Sequence, residues 1–194
     1  MKPLFLACTL IFGTTLLLAQ KTKQDILQSI DTQYDQYSDI AHQIWEFAEL
    51  GYQETKSSAL LQQVLKDAGF TIESGVAGMP TAFVASYGSG KPVIGILGEF
   101  DALPGVSQQA MPEKMPREGT NNGHACGHHL FGTASSAAAI AVKNWLIANK
   151  KSGTIRFYGT PAEEGGSGKV YMVREGLFED VDAVLHWHPG SRNS

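Results

Sequence analysis

Cysteine is almost absent. Of the two in 194 residues, Cys8 lies in an apolar N-terminal run and Cys126 stands alone in the rest. Once the first segment is removed no internal disulfide can form, so a packed core rather than cross-links must hold the fold. Charge is also sparse: charged residues make up 18% of the chain, the formal net charge is -4, and no long run of one sign occurs. That balance offers nothing to nucleic acid or to an acidic membrane surface. Internal repeats and low-complexity tracts are missing, which excludes solenoids and disordered tails. What is present, 43% hydrophobic residues, is enough for one globular domain with a sizeable core.

The single long apolar run is at the start. Lys2 is followed by Pro3 to Ala19, interrupted only by Thr9, Gly13, Thr14 and Thr15. A basic start, an apolar centre and a small residue at the end form a secretory signal, with cleavage near Ala19 or Gln20. Residues 1–19 are therefore expected to be a signal peptide and 20–194 the mature domain, periplasmic or secreted, with no stable membrane partner after cleavage. A retained anchor is the alternative, since the run is near the lower limit for a span. Cleavage takes Lys2 and no acid, moving the formal charge from -4 to -5.

Beyond it, apolar residues at steps of three and four predict a helix over Lys23 to Leu50, with Ile26, Ile30, Tyr34, Tyr37, Ala41, Ile44 and Ala48 inward and Gly51 as cap. A second helix is expected over about Thr55 to Ala68, with Ala59, Leu60, Val64 and Leu65 inward and Gly69 ending it. His42 stands alone on the first helix and carries no assigned chemistry. Short runs at Thr71–Glu73, Thr81–Tyr87, Val93–Gly98, Thr154–Thr160 and Ala183–Leu185 read as strands. An alanine-rich helix over about Gly127–Asn149 and a short one over about Lys169–Glu175 lie between them. This alternation predicts a mainly parallel α/β sheet with helices on both faces.

Chemistry-bearing residues cluster at the element ends. Gly123-His124-Ala125-Cys126-Gly127-His128-His129 brings a thiol and three imidazoles to a helix start; Cys126 and His128, two apart, can both reach one ion. Glu99-Phe100-Asp101-Ala102 follows the most apolar strand, where α/β sheets place their sites, and Asp101 is favoured there. Adjacent Glu163 and Glu164 point apart in extended chain, so one can ligate metal while the other faces water. His186 and His188 end the last strand. The set suits metal-assisted hydrolysis, while Cys126 with His128 or His124 is also a possible nucleophile–base pair.

In this order, the stretches Ile44–Glu54, Gly98–Pro104, Gly123–His128 and Pro161–Gly166 resemble the amidohydrolase branch of the di-metal aminoacylase/carboxypeptidase family. The resemblance implies a three-layer α/β/α zinc-exopeptidase-like catalytic domain, and two divalent metal ions, zinc or manganese, held by Cys126, His128, Glu164 and His188. His188 is preferred over His186. Glu163 is implied as the general base and acid, and Asp101 as the carboxylate that orients a metal-binding imidazole. The implied substrate is a small N-acyl or N-aroyl amino acid of the aminobenzoyl-glutamate type. Where the branch carries aspartate after the second histidine, this chain has His129, so no carboxylate role passes to that position. The family also has a lid and dimerisation domain and a further histidine ligand beyond the His188 region. The expectation is therefore an N-terminal part of a homodimeric two-domain enzyme, lacking the lid and weakly active alone. A non-catalytic metal-binding module is the remaining alternative.

Overall fold

The computed structural model describes residues 23–192, so the signal segment expected over residues 1–19 lies outside the described residues. The described residues divide into two compact units, one ending at residue 34 and the other beginning at residue 35. In the first, residues 23–31 are helical, followed by a turn at Thr32 and Gln33. The Thr32 hydroxyl and the Gln33 side-chain amide both donate to the Ser29 carbonyl, at 3.0 and 2.9 Å. Such side-chain bonds compete with the helical ladder. The single helix expected over Lys23–Leu50 is thus broken, and α1 covers Tyr34–Phe47.

In the second unit, α1 stops short of Gly51. Ala48 takes a left-handed φ of 43°, and the Glu49 carbonyl accepts the Ala102 amide at 2.8 Å. The chain leaves the helix early to pair with the segment that carries Asp101. Helix α2 (Thr55–Asp67) ends as Gly69 foretells. The Phe70 amide returns to the Leu65 carbonyl at 3.0 Å, and the Gly69 amide to that of Lys66 at 2.9 Å, the Schellman pattern that only a left-handed residue closes cheaply. The inward face of α2 carries Leu65, with Leu60 and Val64 half-buried against the core, as expected, but Ala59 is exposed while Ser57, Ser58 and Leu61 are buried.

Five strands form one sheet: β1 (Thr71–Ser74), β2 (Phe83–Ser89), β3 (Val93–Gly98), β4 (Gly153–Gly159) and β5 (Ala183–Leu185), in the order β1-β2-β4-β3-β5. The expected mainly parallel sheet is corrected to a mixed one. β3 pairs parallel with β4 and β5, but β2 runs antiparallel to both β1 and β4. Strand direction is set by long-range pairing and leaves no local mark on the apolar pattern. Helix α3 (His128–Ala148) crosses from β3 to β4, and α4 (Gly168–Arg174) leads from β4 to β5. α3 is apolar and long enough to span a bilayer, yet here it packs on the sheet.

Alternation along the strands divides the core. Phe83, Ala85, Ile96, Ile155 and Phe157 pack with Ile40 and Ile44 of α1, Leu61 and Leu65 of α2, and Ala139 and Ile140 of α3. Val84, Leu97 and Tyr158 pack instead with Val76, Met79, Phe131 and Met172 of α4. Helix, sheet and helix therefore form three layers. Each fully buried large side chain contributes about 1.5–3 kcal/mol. The register places Gly98 of β3 opposite Gly159 of β4, so these parallel strands end level and deliver their next residues to one place.

Candidate metal centre

That place is occupied by His128. As the first residue of α3, after Gly127 at a left-handed φ of 82°, it is fully buried and reaches back over the strand ends. Nδ1–H donates to Asp101 Oδ1 at 2.8 Å. Because the carboxylate can only accept, Nδ1 carries the hydrogen, and in the neutral form that a metal requires Nε2 presents a lone pair. Around Nε2 lie Glu99 Oε2 at 3.0 Å, His188 Nε2 at 3.4 Å, and Glu163 Oε2 and Glu164 Oε1, both at 3.9 Å. His188 is set in the same way: Nδ1–H donates to the Pro189 carbonyl at 2.8 Å, leaving Nε2 free toward Cys126 Sγ at 3.3 Å.

Ring nitrogens and carboxylate oxygens thus converge around Nε2. Glu99 Oε2 and Glu164 Oε1 are buried without a hydrogen-bond partner. Two groups of donor atoms, Cys126 with His128 and His188, and Glu99 with His128 and Glu163, each fall within 4.8 Å. Donors about 2.0–2.3 Å from a tetrahedral ion stand about 3.3–3.7 Å apart, close to the 3.3 and 3.4 Å that relate Cys126, His188 and His128. The residues therefore fit a divalent cation. Sulfur, nitrogen and oxygen donors together suit a borderline-soft one.

Electrostatics agree. Burial raises the Asp101 carboxyl, but the His128 hydrogen bond and the Glu164 amide, which donates at 2.9 Å, outweigh it and hold the pKa low. Burial depresses His128, yet Asp101, Glu99 and Glu164 leave its pKa raised. Burial, then the charges of Glu164, Glu163 and Glu99, pushes the Cys126 thiol up to about 11. Without a cation, Cys126 is a protonated thiol at neutral pH and a poor nucleophile.

The structure brings together Cys126, His128, His188, Glu163, Glu164 and Asp101, all expected from the sequence. His129 lies elsewhere, its ring 5.0 Å from that of His124. Three residues were not foreseen. Glu99, 2% exposed at its side chain, binds Lys169 Nζ through Oε1, with His186 Nε2 at 3.3 Å. Its spacing of two from Asp101 was the available signal, since both then face one side. Glu54, fully buried, turns from the α2 N-cap position: Oε1 accepts the Ala162 amide at 2.8 Å and Oε2 the Thr81 hydroxyl at 2.9 Å. It thereby holds Ala162, at φ 56°, in the turn before Glu163. Glu49 caps α2 instead, accepting the Lys56 and Ser57 amides at 3.0 and 2.9 Å.

His124 and His129 are both neutral. Burial, then neighbouring imidazoles, holds His124 at about 3 and His129 at about 4. The unfolded chain protonates both near pH 6.5. Stability of the metal-free protein is thus undiminished above about 6.5 and declines as pH falls toward 4, by at most about 1.4 kcal/mol per pH unit for each ring. Urea midpoints at pH 7, 6 and 5 are expected to fall in that order, and a His124→Gln, His129→Asn double variant to show a shallower slope.

The domain is a mixed three-layer α/β one with a thiol, imidazole and carboxylate cluster, the donor set of a divalent metal site, at its strand ends. Residues 95–194 match Peptidase family M20/M25/M40, and the chain belongs to that family. It is 53% identical over 174 residues to a p-aminobenzoyl-glutamate hydrolase chain of Escherichia coli (strain K12), covering 88% of this chain and 36% of that one. It is 34% identical over 155 residues to hippurate hydrolase of Campylobacter jejuni, covering 79% of this chain and 39% of that one. The chain thus spans under two fifths of the length of these curated relatives. Among solved structures it shares its fold with a putative aminohydrolase of methicillin-resistant Staphylococcus aureus (TM-score 0.71, 23% identity, 85% of this chain and 42% of that one). It shares it also with a dinuclear metal-binding M20 peptidase of Bacillus subtilis (TM-score 0.66, 24% identity, 82% and 44%).

Proposed function

We propose that the protein is a metal-dependent amidohydrolase that cleaves the amide bond of N-acyl or N-aroyl amino acids, aminobenzoyl-glutamate-like compounds among them. The carrying observation is the His128 cluster: an imidazole fixed by Asp101, its free nitrogen turned toward Cys126, His188 and unpaired carboxylate oxygens. Cys126, His128, Glu164 and His188 hold two divalent ions, zinc or manganese; thiolate and imidazole favour zinc, and carboxylates suit either. When bound, the ions supply Lewis acidity to the amide carbonyl and to the attacking water. Glu163, with its side chain 44% exposed, takes the proton from that water at Oε2 and returns it to the departing amine. Asp101 keeps His128 in one tautomer throughout. The names of the relatives support the substrate class. The composition of residues 1–19 supports export to the periplasm or medium. A homodimer is the proposed assembly.

The rival is a Cys126 nucleophile with a histidine base, and the raised thiol pKa speaks against it. Hydrolysis of p-aminobenzoyl-glutamate and hippurate by the full-length protein decides between them. Activity is expected to vanish on chelation and to return with zinc or manganese. Activity that survives chelation but is abolished by a thiol-alkylating reagent sinks the proposal. Metal bound without any amide hydrolysis would leave only a binding module.

A further inference from the structure

We propose that Glu99 is a donor to the same ion as His128 Nε2. The inference rests on the metal reading above and adds a ligand to it. Glu99 directly follows β3, with its side chain 2% exposed. A carboxylate so buried needs a compensating charge or hydrogen bond on each oxygen. Oε1 has two partners: Lys169 Nζ donates to it, and His186 Nε2 lies at 3.3 Å. Oε2 has no hydrogen-bond partner. It lies 3.0 Å from His128 Nε2, but off the direction of an N–H···O hydrogen bond. With the ring neutral, Nε2 and Oε2 are two acceptors 3.0 Å apart, which a shared cation satisfies and a hydrogen bond does not. Lys169 and His186 pin one oxygen and so aim the other. His128 can bring only Nε2, because Nδ1 is committed to Asp101. An ion reached by both His128 and Glu99 is therefore a single ion.

The test uses cobalt(II) as the probe on the full-length protein, reading affinity, stoichiometry and the visible absorption spectrum. Glu99→Gln places an amide N–H where the oxygen donor stood. It is expected to weaken cobalt binding at the His128 site by about tenfold or more and to alter the d–d bands. The thiolate charge-transfer band from Cys126 is expected to persist at saturating cobalt. Glu99→Asp keeps the charge but withdraws the oxygens by one methylene; a several-fold loss is expected, and this variant decides the matter if the glutamine form does not fold. Wild-type affinity and spectrum in Glu99→Gln, or in Glu99→Asp where the glutamine form does not fold, overturn the assignment while leaving the metal reading intact. A wild-type protein that takes up no cobalt overturns both.

Discussion

Glu163→Gln is expected to lower kcat by about 10²–10⁴-fold, the usual contribution of a positioned general base, with KM and metal content close to wild type. The two adjacent glutamates differ in surroundings. Glu164 is the deeper, its side chain 19% exposed and Oε1 without a partner, while its amide is fastened to Asp101. Glu163 is 44% exposed and so open to solvent water. Glutamine preserves shape but cannot accept the proton. Glu163 Oε2 also falls within a donor group with Glu99 and His128, so metal content is the informative readout. Metal lost from Glu163→Gln but retained in Glu164→Gln would exchange the two roles.

Asp101→Ala is expected to weaken metal binding about 10–100-fold and to cost about 3–5 kcal/mol of stability in the metal-free protein. Both Asp101 oxygens are used, one by His128 Nδ1–H and one by the Glu164 amide, so alanine strands two buried donors. The pH dependence separates this from a general packing loss. The depressed Asp101 pKa contributes stability above about pH 3.9, lost as pH falls. The raised His128 pKa contributes stability below about pH 6.5, lost as pH rises through the folded value. The difference between wild type and Asp101→Ala is therefore largest between about pH 4 and 6.5. Chemical denaturation across pH 3–8 measures it; a difference independent of pH would show that Asp101 acts by packing alone.

How much of this was legible in the sequence depended on how local each determinant is. β3 and β5 fall where their apolar runs lie, and Gly69 ends α2 because a left-handed residue is required there. The residues of the cluster were legible because thiol, imidazole and paired carboxylates are rare neighbours in this chain. The partnership of Glu99 was not, since Lys169 and His186 arrive from α4 and the end of β5, some seventy and ninety residues away in sequence. Glu54 carried no assigned chemistry, since its partner Ala162 lies 108 residues on. The break at Thr32 turned on side-chain bonds to Ser29 that apolar spacing does not register. The antiparallel entry of β2 depended on pairing with β1 and β4, again a long-range choice.

The distance between α3 and the sheet is set by residues that have no side chain. A Cβ added to Gly132 would stand 2.6 Å from the Glu99 carbonyl oxygen, and one added to Gly98 would meet the Phe157 ring. Gly132 is one turn along from His128, so the helix is pressed onto the strand end at the point where imidazole and carboxylates must converge. A methyl group there would act as a spacer and pull the ligand-bearing end of the helix outward. Mutational tolerance at Gly98 and Gly132 should therefore be as narrow as at His128 and Glu99, although neither glycine has a side chain to offer the site.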